Sequence, residues 1–313
     1  MGGFPFRPAG LATIIGALPP LNPIDAARFV LDLVPRLPSA PLLGADGNLE
    51  PVRQFLEEIQ GRVEPVVVSL TGPVTWALQL GDLEAAQRLV EERARELIAL
   101  ARAYVPDAPL MLFLQEPSLA NSMHPTFPLE PDEIERLVAD TVEPLTDDAT
   151  VGVQVSGRAD WAMLLRTGIG ALGAPVTARL DTVAAELAVF LENGGVVAWG
   201  AVPVDEPLGT GVERLWRRLA ALFAELVALG LDPSLLRDRS IVTPAAGLGD
   251  FALPQAERVV QLASELSDRL IEFTRSAIAP PSRRCPPARP SRRRRAPTPP
   301  RALRSPPSPT PPA

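Results

Sequence analysis

The chain has 313 residues, of which 46% are hydrophobic and 5% aromatic, so its core must consist mainly of Leu, Val, Ile and Ala. All thirty basic residues are Arg, and the absence of Lys excludes Schiff-base chemistry and a lysine general base. Nine of these Arg lie in 277–313, which has no acidic residue, so residues 1–276 carry 21 basic and 37 acidic side chains. An acidic body of this kind excludes typical nucleic-acid binding.

Cysteine content and hydropathy bear on the compartment. Cys285 is the single cysteine, so no disulfide can form within one chain. No apolar run reaches the roughly eighteen residues that span a bilayer. We interpret the short apolar N-terminal stretch as a first strand, and we expect a cytoplasmic protein that does not bind membranes.

The composition changes at about residue 277. Residues 1–276 are expected to form one domain. The segment 277–313 is rich in Pro and Arg and is expected to be disordered, because it can bury too little apolar surface. Its run Arg292–Arg295 could contact RNA, membrane phosphates or the acidic body; alternatively, the segment is an unselected extension.

Short apolar runs alternate with long amphipathic segments in 1–276, which favours βα units around a parallel sheet buried on both faces. Seven strands are predicted: Ala12–Leu18, Val66–Leu70, Leu110–Leu114, Thr150–Val155, Val176–Asp181, Val196–Val202 and Ser240–Thr243. A closed (β/α)8 barrel of TIM type needs eight. The second strand is expected between Val34 and Glu64, where Pro41-Leu42-Leu43 offers only a short run. The predicted fold is therefore an α/β TIM-type barrel with a degraded or missing second strand.

Helix signals separate these strands. Asp82 is expected to N-cap a helix that runs to about Tyr104, and Glu130-Pro131-Asp132 to open another. A third helix, from Val212 to Leu229, should end at Gly230. In α/β barrels the functional residues follow the carboxyl ends of the strands, so the turns after the apolar runs predict a pocket.

Six segments carry a family resemblance: ATIIGALPP, VSLTGPVTWAL, FLQEPSLA, VQVSGRADWAMLL, FLENGGVVAWGAVP and RSIVTPAAGLGD. With these segments in this order, the chain resembles the catalytic domain of cobalamin-independent methionine synthase. It resembles more closely the short single-domain relatives of that domain, which are grouped with uroporphyrinogen decarboxylase. The resemblance implies a barrel that transfers a methyl group from a folate to homocysteine. It also implies a zinc ion that keeps the homocysteine sulfur as a thiolate.

The residues at the implied zinc positions differ from the family's ligands. Gln154 stands at the His position, and Ser156 and Ala246 stand at the two Cys positions, while Asp181 lies near the carboxylate position. An amide, a hydroxyl and a methyl group cannot replace imidazole and two thiolates. We therefore expect no metal and no cofactor, and we interpret the lone His124 as a surface residue.

The implied substrate-binding residues are partly retained. The family's Ile-Gly-Ser turn appears as Ile15, Gly16 and Ala17, whose backbone N–H groups could still bind a carboxylate. Its Asp-Glu-Pro motif appears as Gln115, Glu116 and Pro117, without the Asp that would pair with an ammonium group. Two interpretations remain open. The chain is a methyltransferase of this family, or it is a zinc-less barrel. A zinc-less barrel could bind an amino acid or a folate-like molecule, act as a partner subunit, catalyse another reaction, or be a decaying paralogue.

Overall fold

The computed structural model describes residues 5–43, 48–205 and 211–278. Seven strands form one parallel sheet in the order β1-β7-β6-β5-β4-β3-β2. Their bounds are β1 Leu11–Ala12, β2 Val66–Thr71, β3 Leu110–Gln115, β4 Thr150–Gln154, β5 Ala171–Pro175, β6 Val196–Val202 and β7 Ser240–Pro244. The fold is α/β with a curled parallel sheet, which is consistent with a TIM-type barrel that is not closed.

Helices connect the strands. They are α1 Pro23–Leu33, α2 Glu50–Glu58, α3 Pro73–Leu80, α4 Leu83–Tyr104, α5 Pro131–Val142, α6 Trp161–Arg166, α7 Ala184–Glu192, α8 Val212–Ala228, α9 Pro233–Asp238 and α10 Leu253–Ile278. The predicted caps are confirmed: the Asp82 carboxylate accepts the N–H of Ala85 at 2.9 Å, and Glu130 with Glu133 forms a capping box. No helix in the described ranges combines the length and apolarity needed to cross a membrane.

Strand residues alternate between two buried clusters. One combines strand residues with the apolar faces of the helices. The other, here called the inner cluster, comes from strands and strand-flanking segments and consists of Ile15, Leu37, Val67, Met111, Phe113, Ala171, Val196, Ala198 and Ile241. Because side chains of a strand alternate between its two faces, the inner cluster marks the concave face of the curled sheet.

An extended segment lies between the two edge strands of the sheet. The N–H of Ala40 donates to the carbonyl of Val67 at 2.8 Å, and the N–H of Leu18 donates to the carbonyl of Leu42 at 3.0 Å. Ser39 and Leu42 also form isolated parallel bridges to Val67 and Ala17. The predicted degraded second strand therefore corresponds to residues 38–42, which contact both edges without forming a full ladder.

The predicted strand Val176–Asp181 is wrong. The strand is Ala171–Pro175, and the chain turns immediately after it, with Asp181 in a short 3-10 helix, Leu180–Val183. Small residues form β5 because its neighbours fill the space. A Cβ on Gly173 would lie 2.9 Å from Cγ of Gln154. The strand was predicted too late in the chain because Val176 and Thr177 are β-branched, and β-branched residues are enriched in strands.

The predictions for the segment 277–313 concern residues that, apart from 277 and 278, lie outside the described ranges. Cys285 and Arg292–Arg295 are among them.

Gly152 provides a test of packing on the concave face. A Cβ at this position would lie 2.8 Å from both the Phe113 ring and Cβ of Ala171. Since Phe113 and Ala171 are fully buried, we expect Gly152→Ala to lower the free energy of unfolding by about 1–3 kcal/mol in denaturant titration. Gly211→Ala is the matched control, because a Cβ there meets nothing within 4 Å. Equal stability of the two variants would contradict this packing.

Candidate functional site

A cavity of about 540 Å³ opens at the carboxyl ends of β4, β5, β6 and β7, and we call it the loop cavity. Its lining residues follow strands or lie on α8: Ser156, Gly157, Arg158, Pro175, Val176, Thr177, Ala178, Gly200, Pro203, Val204, Asp205, Arg218, Ala245 and Ala246. Carboxyl ends of parallel strands are where ligands bind in α/β folds. The loop cavity is therefore the candidate functional site.

Ser156 and Ala246, two of the three zinc positions that the resemblance implies, line this cavity. Ser156 comes two residues after β4, and Ala246 comes two residues after β7. The third position, Gln154, ends β4 and is 5% exposed. Residues that are 90 positions apart in sequence, Ser156 and Ala246, thus contribute to one concave surface.

The turn after β1 contacts the turn after β7. The N–H of Leu248 donates to the carbonyl of Ala17 at 2.6 Å. Gly16 has a φ of +116°, and a Cβ on it would lie 2.7 Å from Cα of Gly247. Glycine is required at Gly16 by both its left-handed conformation and this close backbone approach. Ile15, the first residue of the predicted substrate turn, is fully buried in the inner cluster.

Gln115 reaches toward the same turn. It ends β3 in register with Gln154 of β4. Its Oε1 lies 3.1 Å from the position that a Cβ on Gly16 would take. The structure thus brings Gln115, Gly16 and Ala17 together, whereas it turns Glu116 away from them.

Glu116 binds the N-terminus of α3. Its Oε1 accepts the N–H of Val74 at 2.7 Å, and its Oε2 accepts the N–H and the hydroxyl of Thr75 at 2.8 and 2.7 Å. The residue is fully buried, and Gly72 makes room for it, since a Cβ there would overlap the carboxylate. Burial raises the pKa of Glu116 to about 7, although the hydrogen bonds from Thr75 and Val74 oppose the rise.

Asp181 and His124 are engaged elsewhere. Both oxygens of Asp181 accept hydrogen bonds from the Arg179 guanidinium, at 3.0 to 3.2 Å, which holds the pKa of Asp181 below its usual value. His124 Nδ1 lies 2.8 Å from Oγ1 of Thr126 in an exposed loop. His124 lines a separate surface cavity with Leu78 and Phe127.

Charged side chains give the loop cavity its electrostatic character. Arg158 follows β4, Arg218 lies on α8, and Asp205 follows β6. Among the described residues, two guanidinium groups and one carboxylate thus line the cavity. Guanidinium groups bind carboxylates and phosphates with paired hydrogen bonds.

Sequence reasoning missed Arg158, Thr177 and Arg218 as cavity residues. Arg158 lay within the motif VQVSGRADWAMLL, and its position four residues after the end of β4 could have indicated it. Arg218 had no such signal, because only the packing of α8 brings it to the cavity.

The comparisons with known proteins find distant structural similarity only. No protein-family model matches the chain, and no curated protein matches its sequence. A methyltransferase from Methanosarcina mazei is similar at 15% identity and a TM-score of 0.46, over 72% of this chain and 64% of that one. A dihydropteroate synthase from Stenotrophomonas maltophilia matches at 15% identity and a TM-score of 0.37, over 86% and 94% of the two chains. A GH6 enzyme from Orpinomyces sp. Y102 matches at 11% identity and a TM-score of 0.40, over 76% and 74%.

The buried carboxylate of Glu116 predicts a pH-dependent stability. Its pKa is raised from 4.5 to about 7 in the folded chain, so between these values the folded state binds a proton that the unfolded state releases. The free energy of unfolding should therefore fall as pH rises from 4.5 to 7, by up to about 3 kcal/mol from this group. Denaturant titrations at pH 5 and pH 8 should show a smaller loss for Glu116→Gln than for the wild type. If the wild type and Glu116→Gln lost the same stability between pH 5 and pH 8, the raised pKa of Glu116 would be contradicted.

Proposed function

We propose that this chain is a zinc-independent barrel that binds a small anionic molecule, of the amino-acid or folate-like class, in its loop cavity. The observation that supports the proposal most is that Ser156 and Ala246 line one cavity. The resemblance to methionine synthase-type methyltransferases places the family's thiolate ligands at these two positions. The proposed ligand site thus coincides with the reaction site that the resemblance implies.

The residues present do not fit a zinc ion. Gln154, Ser156 and Ala246 offer an amide, a hydroxyl and a methyl group, whereas zinc sites of this kind need nitrogen or sulfur donors. No group of three or more His, Cys, Asp and Glu side chains that could hold a metal occurs within the described ranges. Asp181 pairs with Arg179, and Glu116 pairs with α3. We therefore derive no methyl transfer through a metal-bound thiolate.

The charges of the cavity support an anionic ligand. Arg158 is exposed at the cavity, and Arg218 is half-buried on α8 beside it. A carboxylate of the ligand could form charge-assisted hydrogen bonds with the exposed Arg158 guanidinium, and such bonds are stronger than neutral ones. Asp205 would repel an anion at its own edge and so restrict the orientation of the ligand.

The absence of zinc chemistry is directly measurable. We expect the purified full-length protein to contain far less than one zinc per chain by elemental analysis. We also expect it to transfer no methyl group from methyltetrahydrofolate to homocysteine. One zinc per chain together with turnover would overturn the proposal. The triple variant Gln154→His, Ser156→Cys, Ala246→Cys should gain zinc, because it restores imidazole and thiolate donors at the implied positions.

Anion binding is tested separately by titration calorimetry with homocysteine and with methyltetrahydrofolate as probes. We expect saturable binding of at least one probe, and Arg158→Gln should weaken it about tenfold or more, since a charge-assisted hydrogen bond is lost. Arg166→Gln is the matched control, because the Arg166 guanidinium pairs with Glu135 at 2.7 Å and lies outside the loop cavity. Failure of both probes to bind, or equal weakening by both variants, would refute the proposal.

A further inference from the structure

A second cavity, of about 700 Å³, opens at the amino ends of β4, β5 and β6, and we call it the amino-end cavity. It lies at the opposite end of these strands from the loop cavity, and the two cavities share no described lining residue. Its volume is within the range of roughly 300–1,000 Å³ that small-molecule sites occupy. A ligand in the amino-end cavity would therefore be independent of a ligand in the loop cavity.

The walls of the amino-end cavity are largely apolar. Ile169 and Phe190 are buried, Leu165 is half-buried, and Val189 is 55% exposed. A Cβ on Gly195 would lie 2.5 Å from the Phe190 ring, so this ring packs directly on the backbone that leads into β6. Small-molecule sites are lined mainly by apolar side chains and a few polar groups. These walls suit an apolar body such as an aromatic ring or a short alkyl chain.

Two helices direct their carboxyl ends to the amino-end cavity. Val142, the last residue of α5, and Asn193, the C-cap of α7, both line it. The carboxyl end of a helix carries a partial negative charge, which a nearby cation stabilises. Neither α5 nor α7 has a basic residue in its last turn. The negative ends of both helices thus lack a compensating charge from their own sequence.

The charged side chains of the lining add to this negative potential. They are Glu143, Arg166 and Glu186. The guanidinium of Arg166 is already paired with Glu135, because its Nη2 and Nε donate to the two carboxylate oxygens at 2.7 and 3.3 Å. Glu143, the C-cap of α5, and Glu186 on α7 are exposed, and neither forms a salt bridge with a described residue. Two carboxylates are therefore left to attract a ligand.

These groups favour an organic cation over a metal ion or an anion. Calcium and magnesium ions require about six oxygen ligands, and the described part of the chain contains no cluster of three or more His, Cys, Asp or Glu side chains suited to a metal. An ammonium or amidinium group can pair with a single carboxylate. An anion would be repelled by the carboxylates and by the helix ends.

We propose that the amino-end cavity binds a small amphipathic organic cation. The charged head lies near Glu143 and Glu186, at the carboxyl ends of α5 and α7. The apolar body lies against Leu165 and Val189. This site differs from the loop cavity in position and in charge, so it stands whether or not the loop cavity binds an anion.

Three probes of similar shape test the proposal. Phenethylammonium, 2-phenylethanol and 3-phenylpropionate carry a cationic, a neutral and an anionic head on the same phenylalkyl body. Saturation-transfer NMR with the full-length protein should show saturable phenethylammonium binding that weakens as sodium chloride is added, because salt screens exposed charges. As competitors, 2-phenylethanol should need an at least about fivefold higher concentration than unlabelled phenethylammonium, and 3-phenylpropionate should not compete. No saturable binding, or competition by the neutral or anionic probe at equal concentration, would overturn the proposal.

Charge variants locate the bound cation. Glu143→Gln and Glu186→Gln should each weaken phenethylammonium binding by about twofold to fivefold, the contribution of one exposed ion pair, and the double variant should weaken it further. Glu58→Gln is the matched control, because Glu58 is an exposed carboxylate on α2 outside the cavity. Binding that is insensitive to the double variant, or equally sensitive to Glu58→Gln, would refute the site.

A steric variant tests the same cavity without changing its charge. Ala139 is half-buried on α5 and lines the cavity. Leu is a strong helix former, so Ala139→Leu should keep the melting temperature of the wild type while it fills ligand space and weakens phenethylammonium binding about tenfold or more. Unchanged binding would place the cation elsewhere and overturn the proposal. If the melting temperature falls, the two Glu variants, which alter no buried packing, decide the question.

Competition also separates this site from the loop cavity. An excess of methyltetrahydrofolate should not displace phenethylammonium, because the two cavities lie at opposite ends of the strands. Displacement would mean that both molecules occupy the loop cavity, and it would refute the amino-end site. Failure of methyltetrahydrofolate and homocysteine to bind refutes the anion site alone, so the two proposals fail in different ways.

Discussion

The buried carboxylate of Glu116 is the interaction that fixes the carboxyl edge of the sheet. It joins the end of β3 to the first turn of α3 through three hydrogen bonds, in a position where water cannot replace them. The exposed N–H groups and positive dipole end of a helix are natural partners of a carboxylate. Gly72 must lack a Cβ for this contact, so the Gly72-Pro73 turn and the Glu116-Pro117 motif depend on each other. Their joint presence in the sequence is explained by folding, without any role in ligand binding.

This constraint decides which side chains are available for chemistry. The carboxylate of Glu116 is bound by α3, and that of Asp181 is bound by Arg179. His124 lies on a different surface. The loop cavity is left with guanidinium, hydroxyl and one carboxylate groups. On the proposal above, such a set would bind and orient an anion, but it would not lower the pKa of a thiol as a bound metal ion does. The physical argument for a binding function thus rests on the residues themselves and on where their oxygens are already engaged.

Most strands with long apolar runs were predictable from sequence. The small-residue strand and the interrupted one were not, and the first strand, predicted as Ala12–Leu18, is only Leu11–Ala12. The predicted bounds of β2, β3, β4, β6 and β7 agree with the structure within about one residue, because burial on both faces demands continuous apolar residues. In β5, Ala171 and Gly173 carry no β signal of their own; a Cβ on Gly173 would lie 2.9 Å from Cγ of Gln154 on the neighbouring strand β4, so the packing of β4 favours a small residue there. Likewise, residues 38–42 contact both sheet edges through single bridges, which no local pattern specifies. The site was partly predictable through motif positions such as Ser156 and Ala246, but Arg218 reaches it only through tertiary packing.

On the proposal of a zinc-less barrel, the residues at the three implied positions are consistent with one another. Without a metal, a charged imidazole at the buried position of Gln154 would be strongly unfavourable. Gln154 and Ala246 are uncharged residues that fit these surroundings, and Ser156 is exposed at the cavity mouth. Relaxed selection alone would also have allowed apolar residues at Thr13, Gln115, Gln154 and Thr243, where each polar atom without a partner costs stability.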